Sequence, residues 1–433
     1  MNKKTFKFID FFAGAGGFSE GFLQAETDEA YYDFLLGSDI NENCEVTHIM
    51  RYKHQLGLDN NKFLCKDITD EDFLYQLKEM LEGEDIDVIC GGPPCQSFSL
   101  AGRRRTFDKK DDLFRNYLNI VRELKPKYFV MENVKGILTK YDGDVVLRIK
   151  REISEILDEK EVKNLQKYIS TFISESSLIS NSDKKSLKNI SILIGILSKS
   201  IEERPVEMQS YFQSLLNEFT SSLPKFCGYH ASKTDPEIAT VRHGLKMLEQ
   251  AASWSKISFD VMKAKGVSDI DNDNFVEKID SFLTTIEPDS IIHEIEESLA
   301  KIKHKGHFDH LSELITLYQY SIEEYTENII EIISKDQESK SYNKIMKVLD
   351  NGINLYNLNE PMVLLASDYG VPQNRERVIF LGCRKDQKII NSITKTTPNK
   401  EDKVTIFEAL HDLDNIEVNE TVSEYRPPLA KAS

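Results

Sequence analysis

Residues 6–18, Phe-Lys-Phe-Ile-Asp-Phe-Phe-Ala-Gly-Ala-Gly-Gly-Phe, decide the fold. The apolar run 6–12 suits a strand buried on both faces of a parallel sheet. Gly14, Gly16 and Gly17 end it, and an amphipathic helix begins near Phe18 with Phe22 and Leu23 on one side. Strand, glycine turn and helix make a nucleotide cradle, because glycine lets the backbone approach a ligand and the helix start offers free amides. Gly14 and Gly16 fit G-x-G, whereas Ser19 stands where a dinucleotide site has its third glycine, which weakens a nicotinamide or flavin reading. The pattern predicts an α/β protein.

Two further strands, 34–40 and 63–68, end on carboxylates. Asp39 is placed to accept the ribose hydroxyls of an adenosine, with Ile40 against one face of the base; capping the next helix is the alternative for Asp39. Asp67 is placed to meet the exocyclic amine of the same base. A fourth strand, 87–90, runs into Gly91-Gly92-Pro93-Pro94-Cys95. Two prolines cannot continue a ladder and fix φ, so Cys95 is held just past the strand's carboxyl end, where open α/β sheets bind ligands. A thiol there is a candidate nucleophile, with a small buried cysteine after a turn as the plainer alternative. Residues 96–112 mix small residues with Arg103, Arg104, Arg105, Lys109 and Lys110, the pattern of a loop with a phosphate-seeking tip or of a solvated surface. After a helix over 113–124, the strand 128–131 ends on Glu132, a carboxylate beside Cys95 whose partial burial would raise its pKa and let it donate a proton.

With 433 residues, 40% of them hydrophobic, the chain has the length for two or three domains. No apolar run approaches a membrane span, and no secretory apolar core follows residues 1–7. Six cysteines, at 44, 65, 90, 95, 227 and 383, show neither CxxC pairs nor framework spacing, so thiols and a cytoplasmic location are expected. The net charge of −17 argues against tight nucleic-acid binding by bulk electrostatics. Any DNA contact has to come from a local basic patch or a partner.

Four stretches, in this order, resemble the cytosine-5 DNA methyltransferase family: FIDFFAGAGGFSEGF, GGPPCQSFS, MENVKGIL and SDYGVPQNRERVIFLG. The resemblance covers about residues 5–140 and 345–385. It implies a class I methyltransferase fold, a doubly wound, mostly parallel sheet that binds S-adenosylmethionine at its switch point. It assigns Phe12, Gly14 and Gly16 to the methionine and ribose part of the cofactor, Asp39 to the ribose, Ile40 to the adenine face, Asp67 and Ile68 to the adenine edge, and Pro93 to the same pocket. It makes Cys95 the nucleophile, Glu132 the group at ring nitrogen 3, and Arg375 and Arg377 the guanidiniums near the cytosine carbonyl, supported by Gln373. Gln96, Ser99, Arg103, Arg104 and Asn133 fall to the DNA substrate. On an extended segment Arg375 and Arg377, two apart, face the same way. The chemistry needs these groups because thiolate attack on carbon 6, with a proton delivered to nitrogen 3, makes carbon 5 nucleophilic enough to take a methyl group from a sulfonium. The base has to be flipped out of duplex DNA to be reached. The family setting is restriction-modification or a related defence system. An RNA cytosine methyltransferase and a non-catalytic cofactor-binding scaffold are the alternatives.

Residues 141–345 depart from the resemblance and read as an inserted all-α domain of six to eight helices, between core parts 1–140 and 346–390 and ahead of a helix and tail over 391–433. Val146, Ile149, Ile153, Ile156 and Leu157 are expected to share a helix face, as are Leu311, Leu314, Ile315 and Tyr318, and Ile329, Ile330 and Ile333. The imidazoles of His304, His307 and His310 read as a polar loop and Cys227 with His230 as a helix-ending turn, so no metal is expected. The family's target-recognition region and closing Gly-Asn segment are not found after Arg384. That leads to the expectation of a fragment, or of recognition carried by a second polypeptide.

Overall fold

A computed structural model describes residues 3–70, 72–94, 113–200, 203–226, 236–248, 288–301 and 321–411. They form two compact units, one built from residues up to Ile153 and from Tyr356 onward, the other from Ser154–Leu355.

The first unit is an eight-stranded sheet. Its strands are β1 (Lys4–Phe11), β2 (Ala30–Asp39), β3 (Lys62–Cys65), β4 (Val88–Gly91), β5 (Tyr128–Val134), β6 (Tyr356–Leu358), β7 (Met362–Leu365) and β8 (Glu376–Arg384). The order is β3-β2-β1-β4-β5-β8-β6, with β7 paired to β8 off that path. β1 to β5 are mutually parallel and β8 runs antiparallel to its neighbours. This is the doubly wound, mostly parallel sheet of a class I methyltransferase. Strand order reverses between β1 and β4, so the ligand crevice lies past Phe11 and Gly91. β1 is the centre because its apolar residues bury on both faces: Phe8, Ile9 and Phe11 are all buried. Phe8 stacks on Phe34 at 4.7 Å between ring centroids and touches Phe22 of helix α1 (Gly17–Gln24) at 5.1 Å. Each such ring contributes about 1.5–3 kcal/mol by its burial.

Helix α2 (Glu42–His48) starts on Asn41, whose side chain accepts from the Asn43 amide, and runs on into a π-helical turn, Ile49–Gln55. Asp39 is therefore not the cap of this helix. Helices α3 (Phe73–Leu81) and α4 (Leu113–Leu124) follow, and then α5 (Asp144–Ser154). By its contacts α5 lies almost wholly with the sheet rather than with the helical unit. Arg115 of α4 reaches Glu152 of α5 through Nε at 3.0 Å and Nη2 at 2.8 Å. The face read as Val146, Ile149, Ile153, Ile156 and Leu157 is corrected to Val145, Ile149 and Ile153, because α5 ends at Ser154 and sets its apolar stripe one residue earlier.

The described part of Ser154–Leu355 is helical. Helices α6 (Glu159–Glu175) and α7 (Asn181–Leu197) pack together with Arg204–Phe226, Ile322–Ile333 and Tyr342–Asp350. Phe172, Ile190, Ile194, Phe212, Tyr325, Ile329 and Ile345 form its core, and Ile329 and Ile333 are buried together while Ile330 is only half-buried. Its two ends meet: Leu157 bridges Asn354, the Leu355 amide donates to the Ile156 carbonyl at 2.7 Å, and the Asp158 amide to the Ile353 carbonyl at 2.8 Å. The positions Leu311, Leu314, Ile315, Tyr318, His304, His307, His310, Cys227 and His230 lie outside the described residues. No helix among the described residues is long and apolar enough to cross a membrane. Cys44, Cys65, Cys90 and Cys383 are free thiols.

Candidate active site

The cofactor side is built where β1 and β2 end. Past Phe11 the chain turns through Phe12 at φ 55°, a left-handed conformation that a phenylalanine adopts only under constraint from its surroundings. Gly14 follows at φ 54° and Gly16 at φ 91°. A β-carbon on Gly14 would meet nothing within 4 Å, so the loop leaves open space on that side. A β-carbon on Gly16 would lie 2.3 Å from Tyr52 Oη, and Tyr52 donates a hydrogen bond to the Gly16 carbonyl at 3.3 Å. The π-helical turn thus carries a buried tyrosine to the underside of the glycine loop.

Behind the loop, Ser19 Oγ donates to Asp10 Oδ2 at 2.7 Å. This explains the serine in place of a third glycine: it ties α1 to β1 through a side chain. Asp10 is 1% exposed, and burial pushes its carboxyl up to about 7.

Asp39 is held from two sides. The Gly14 amide donates to its Oδ2 at 2.9 Å and the Asn41 amide to its Oδ1 at 3.0 Å, so its carboxylate bridges the ends of β1 and β2. Next to it Ile40 is 67% exposed, an apolar surface at the mouth of a polar crevice. Asp67 accepts from the Thr69 amide and hydroxyl on Oδ1, while Oδ2 has no partner among the described residues. Ile68 beside it is buried. An acceptor for ribose hydroxyls, an exposed apolar face, a free acceptor for an amine and an open space at Gly14 match an adenosine with a small tail. The residues present fit S-adenosylmethionine.

The substrate side lies at the ends of β4 and β5. Asn133 is buried, and its amide donates to the Pro93 carbonyl at 2.9 Å while its Oδ1 accepts from the Val134 amide. It holds the Pro93-Pro94 turn against β5, so the structure gives Asn133 a backbone to grip rather than an open face. Glu132 is half-buried, with Oε2 3.1 Å from where a β-carbon on Gly92 would stand. Arg377 Nε pairs with Glu132 Oε1, as the antiparallel register of Val134 with Arg377 allows. Burial raises the Glu132 carboxyl and the Arg375 charge opposes the rise. Arg375 and Gln373 are exposed on the loop entering β8. Cys95, Gln96, Ser99, Arg103 and Arg104 lie outside the described residues, but Pro94, one residue before Cys95, is the described end of this turn.

The sequence reading missed three contributors. Tyr52 and His48 sit under the glycine loop, 5.0 Å apart between ring centroids, from a helix with no motif of its own. Asp10 was visible as a lone carboxylate inside an apolar strand, which was the signal for a buried partner.

The sequence model of one family, described as C-5 cytosine-specific DNA methylase, matches residues 6–165 and 325–427. The type II methyltransferase M.XorII of Xanthomonas oryzae is 40% identical over 131 residues, 30% of this chain and 28% of that protein. The type II methyltransferase M1.HphI of Haemophilus parahaemolyticus is 36% identical over 155 residues, 34% of this chain and 36% of that protein. The matched stretches thus span about a third of these relatives. A solved structure of a putative DNA modification methyltransferase encoded within a prophage of E. coli aligns over 95% of this chain and 56% of its own, with 15% identity and a TM-score of 0.34.

Proposed function

The chain belongs to the C-5 cytosine-specific DNA methylase family, and from that premise we propose that it methylates carbon 5 of cytosine in DNA with S-adenosylmethionine as donor. The observation that carries this reading is the pairing of a half-buried Glu132, its carboxyl raised by burial, with Arg377 at the strand end that adjoins the turn into Cys95. When bound, S-adenosylmethionine supplies an electrophilic methyl group on a sulfonium. Asp39 and Asp67 would hold its ribose and adenine, and Ile40 would cover the base. Phe12, Gly14 and Gly16 would shape the loop around its tail, with Pro93 closing the pocket.

The remaining steps belong to this chain. The Cys95 thiolate forms a bond to carbon 6 of a flipped cytosine, and Glu132 gives its proton to nitrogen 3, which places the electron pair on carbon 5. After carbon 5 takes the methyl group, it loses its proton to a base. The pair then re-forms the carbon 5–carbon 6 double bond, the thiolate leaves, and the nitrogen 3 proton returns to Glu132. Arg375 and Arg377, supported by Gln373, stabilise charge on the ring carbonyl. Asn133 keeps the Pro93 end of the turn against β5. Gln96, Ser99, Arg103 and Arg104 would contact the DNA. The naming of the relatives as type II methyltransferases supports a place in a restriction-modification system.

The test is transfer of labelled methyl from S-adenosylmethionine to duplex DNA, by this chain alone and with the polypeptide encoded immediately downstream. A covalent adduct is sought on DNA carrying 5-fluorocytosine, whose fluorine blocks the last elimination. Transfer and an adduct that Cys95→Ser abolishes support the proposal. Transfer to RNA but not DNA, or cofactor binding with neither transfer nor adduct, overturns it.

A further inference from the structure

The loop that carries Arg375 and Arg377 is held from behind by a segment that follows the last strand of the sheet. The turn Ala366–Tyr369 precedes this loop, and its Asp368 is 7% exposed. Lys395 Nζ lies 2.6 Å from Asp368 Oδ2, and Lys403 Nζ pairs with Oδ1 while donating to the Ser367 carbonyl at 2.9 Å. The amides of Thr396 and Thr397 donate to the Asp368 carbonyl at 3.1 Å and 2.9 Å. Thr397 Oγ1 donates to the Ser367 carbonyl at 2.8 Å and accepts from the Gly370 amide at 2.9 Å. Residues 395–403 therefore form a strap across the turn.

On its other side the turn reaches the arginine loop. The Ala366 amide donates to the Arg375 carbonyl at 2.8 Å, the Val371 amide to the Ala366 carbonyl at 3.3 Å, and the Arg375 amide to the Gln373 carbonyl at 3.0 Å. Gln373, Asn374 and Arg375 are exposed, so packing does little to fix them. Ser367 and Asp368 are buried and Ala366 and Tyr369 half-buried, so this carboxylate with its two lysines is not one of the exposed surface ion pairs that contribute little.

We propose that Asp368, clamped by Lys395 and Lys403, is a positioning residue for Arg375 and Arg377. The strap fixes the turn, the turn fixes the Arg375 backbone through Ala366, and the guanidinium groups are thereby aimed at the cytosine carbonyl. The proposal rests on the function proposed above and adds residues that touch neither cofactor nor base.

The test removes the clamp at its solvent side with Lys395→Met/Lys403→Met, and separately with Asp368→Asn. Methyl transfer is measured together with amide hydrogen exchange at Ala366. A displacement of about 1 Å at the guanidiniums lowers kcat by up to about 100-fold, while KM for S-adenosylmethionine is expected to stay within about twofold. Exchange at Ala366 is expected to accelerate without a change along β5, and a double Lys→Arg variant is expected to retain both activity and protection. An unchanged kcat with unchanged Ala366 exchange overturns the proposal, as does an equal loosening of β5 and the turn. If the wild-type chain transfers no methyl group, the function proposed above fails; Ala366 exchange then still decides the clamp, with acceleration supporting it and protection refuting it.

Discussion

Gly16→Ala probes the cradle at its tightest point. Gly16 sits at φ 91°, and an alanine there carries a left-handed penalty of about 1–2 kcal/mol. Its β-carbon would stand 2.3 Å from Tyr52 Oη, 3.3 Å from Tyr52 Cζ and 3.4 Å from His48 Nε2. Tyr52 is 1% exposed and lies 5.0 Å, ring centroid to centroid, from both Phe34 and His48, so it has no room to swing aside. The loop has to lift instead and loses the Tyr52 hydrogen bond, a further 1 kcal/mol or about that. Together about 2–3 kcal/mol must be spent to bring the loop back for binding, which corresponds to about 30- to 150-fold in the dissociation constant. Titration calorimetry with S-adenosylmethionine reads it directly. Tyr52→Phe deletes the atom at 2.3 Å, and with it the hydrogen bond, and leaves the nearest at 3.3 Å, so in a Tyr52→Phe background Gly16→Ala is expected to cost only the left-handed share. Binding by Gly16→Ala within about threefold of wild type, against the 1.4 kcal/mol that a tenfold change represents, would refute the reasoning. So would the absence of any recovery with Tyr52→Phe.

Three further outcomes are expected. Burial raises the Asp10 carboxyl from 3.8 to about 7, so the folded chain keeps a proton that the unfolded chain releases. Stability is then greatest below pH 3.8 as far as this group is concerned and declines as pH rises to about 7; Asp10→Asn should flatten that slope in denaturant titrations at pH 5 and pH 8. Asn133→Ala leaves the buried Pro93 carbonyl without its donor, at a cost of about 1–3 kcal/mol, and should lower thermal stability and kcat and raise KM for S-adenosylmethionine, whose pocket Pro93 is proposed to close. Phe172→Ala empties the centre of the helical unit and should destabilise it by about 3–5 kcal/mol, read as an earlier loss of helical circular dichroism.

The strand ends were legible because each couples an apolar run to a glycine turn or a single carboxylate: the glycines after Phe11, Asp39 as the last residue of β2, Glu132 near the end of β5. The sheet order follows from such runs once they are taken as parallel. What joins distant residues through one hydrogen bond left no period to read. Asn133 with Pro93, Tyr52 with Gly16, and Asp368 with Lys395 and Lys403 are of this kind. The shift of the α5 stripe from Val146 to Val145 has another cause: the pattern was carried on to Ile156 and Leu157, past the end of the helix at Ser154. Asp39 kept two readings in the sequence, as cap or as ligand group, and the position of Asn41 at the start of α2 removes the cap.

The stapled ends of the helical unit have a consequence for how such a chain can change. Ile156 and Leu157 leave beside the point where Asn354 and Leu355 return, so the chain between them is an excursion that begins and ends at one place. Closing a loop costs more only as the logarithm of its length, so little ties the size of the excursion to the strands on either side. The junction is a socket: a tight turn or a different domain with adjacent termini can be grafted there while β5 and β8 keep their register. Deleting 158–353 across such a turn is the economical way to obtain the sheet alone.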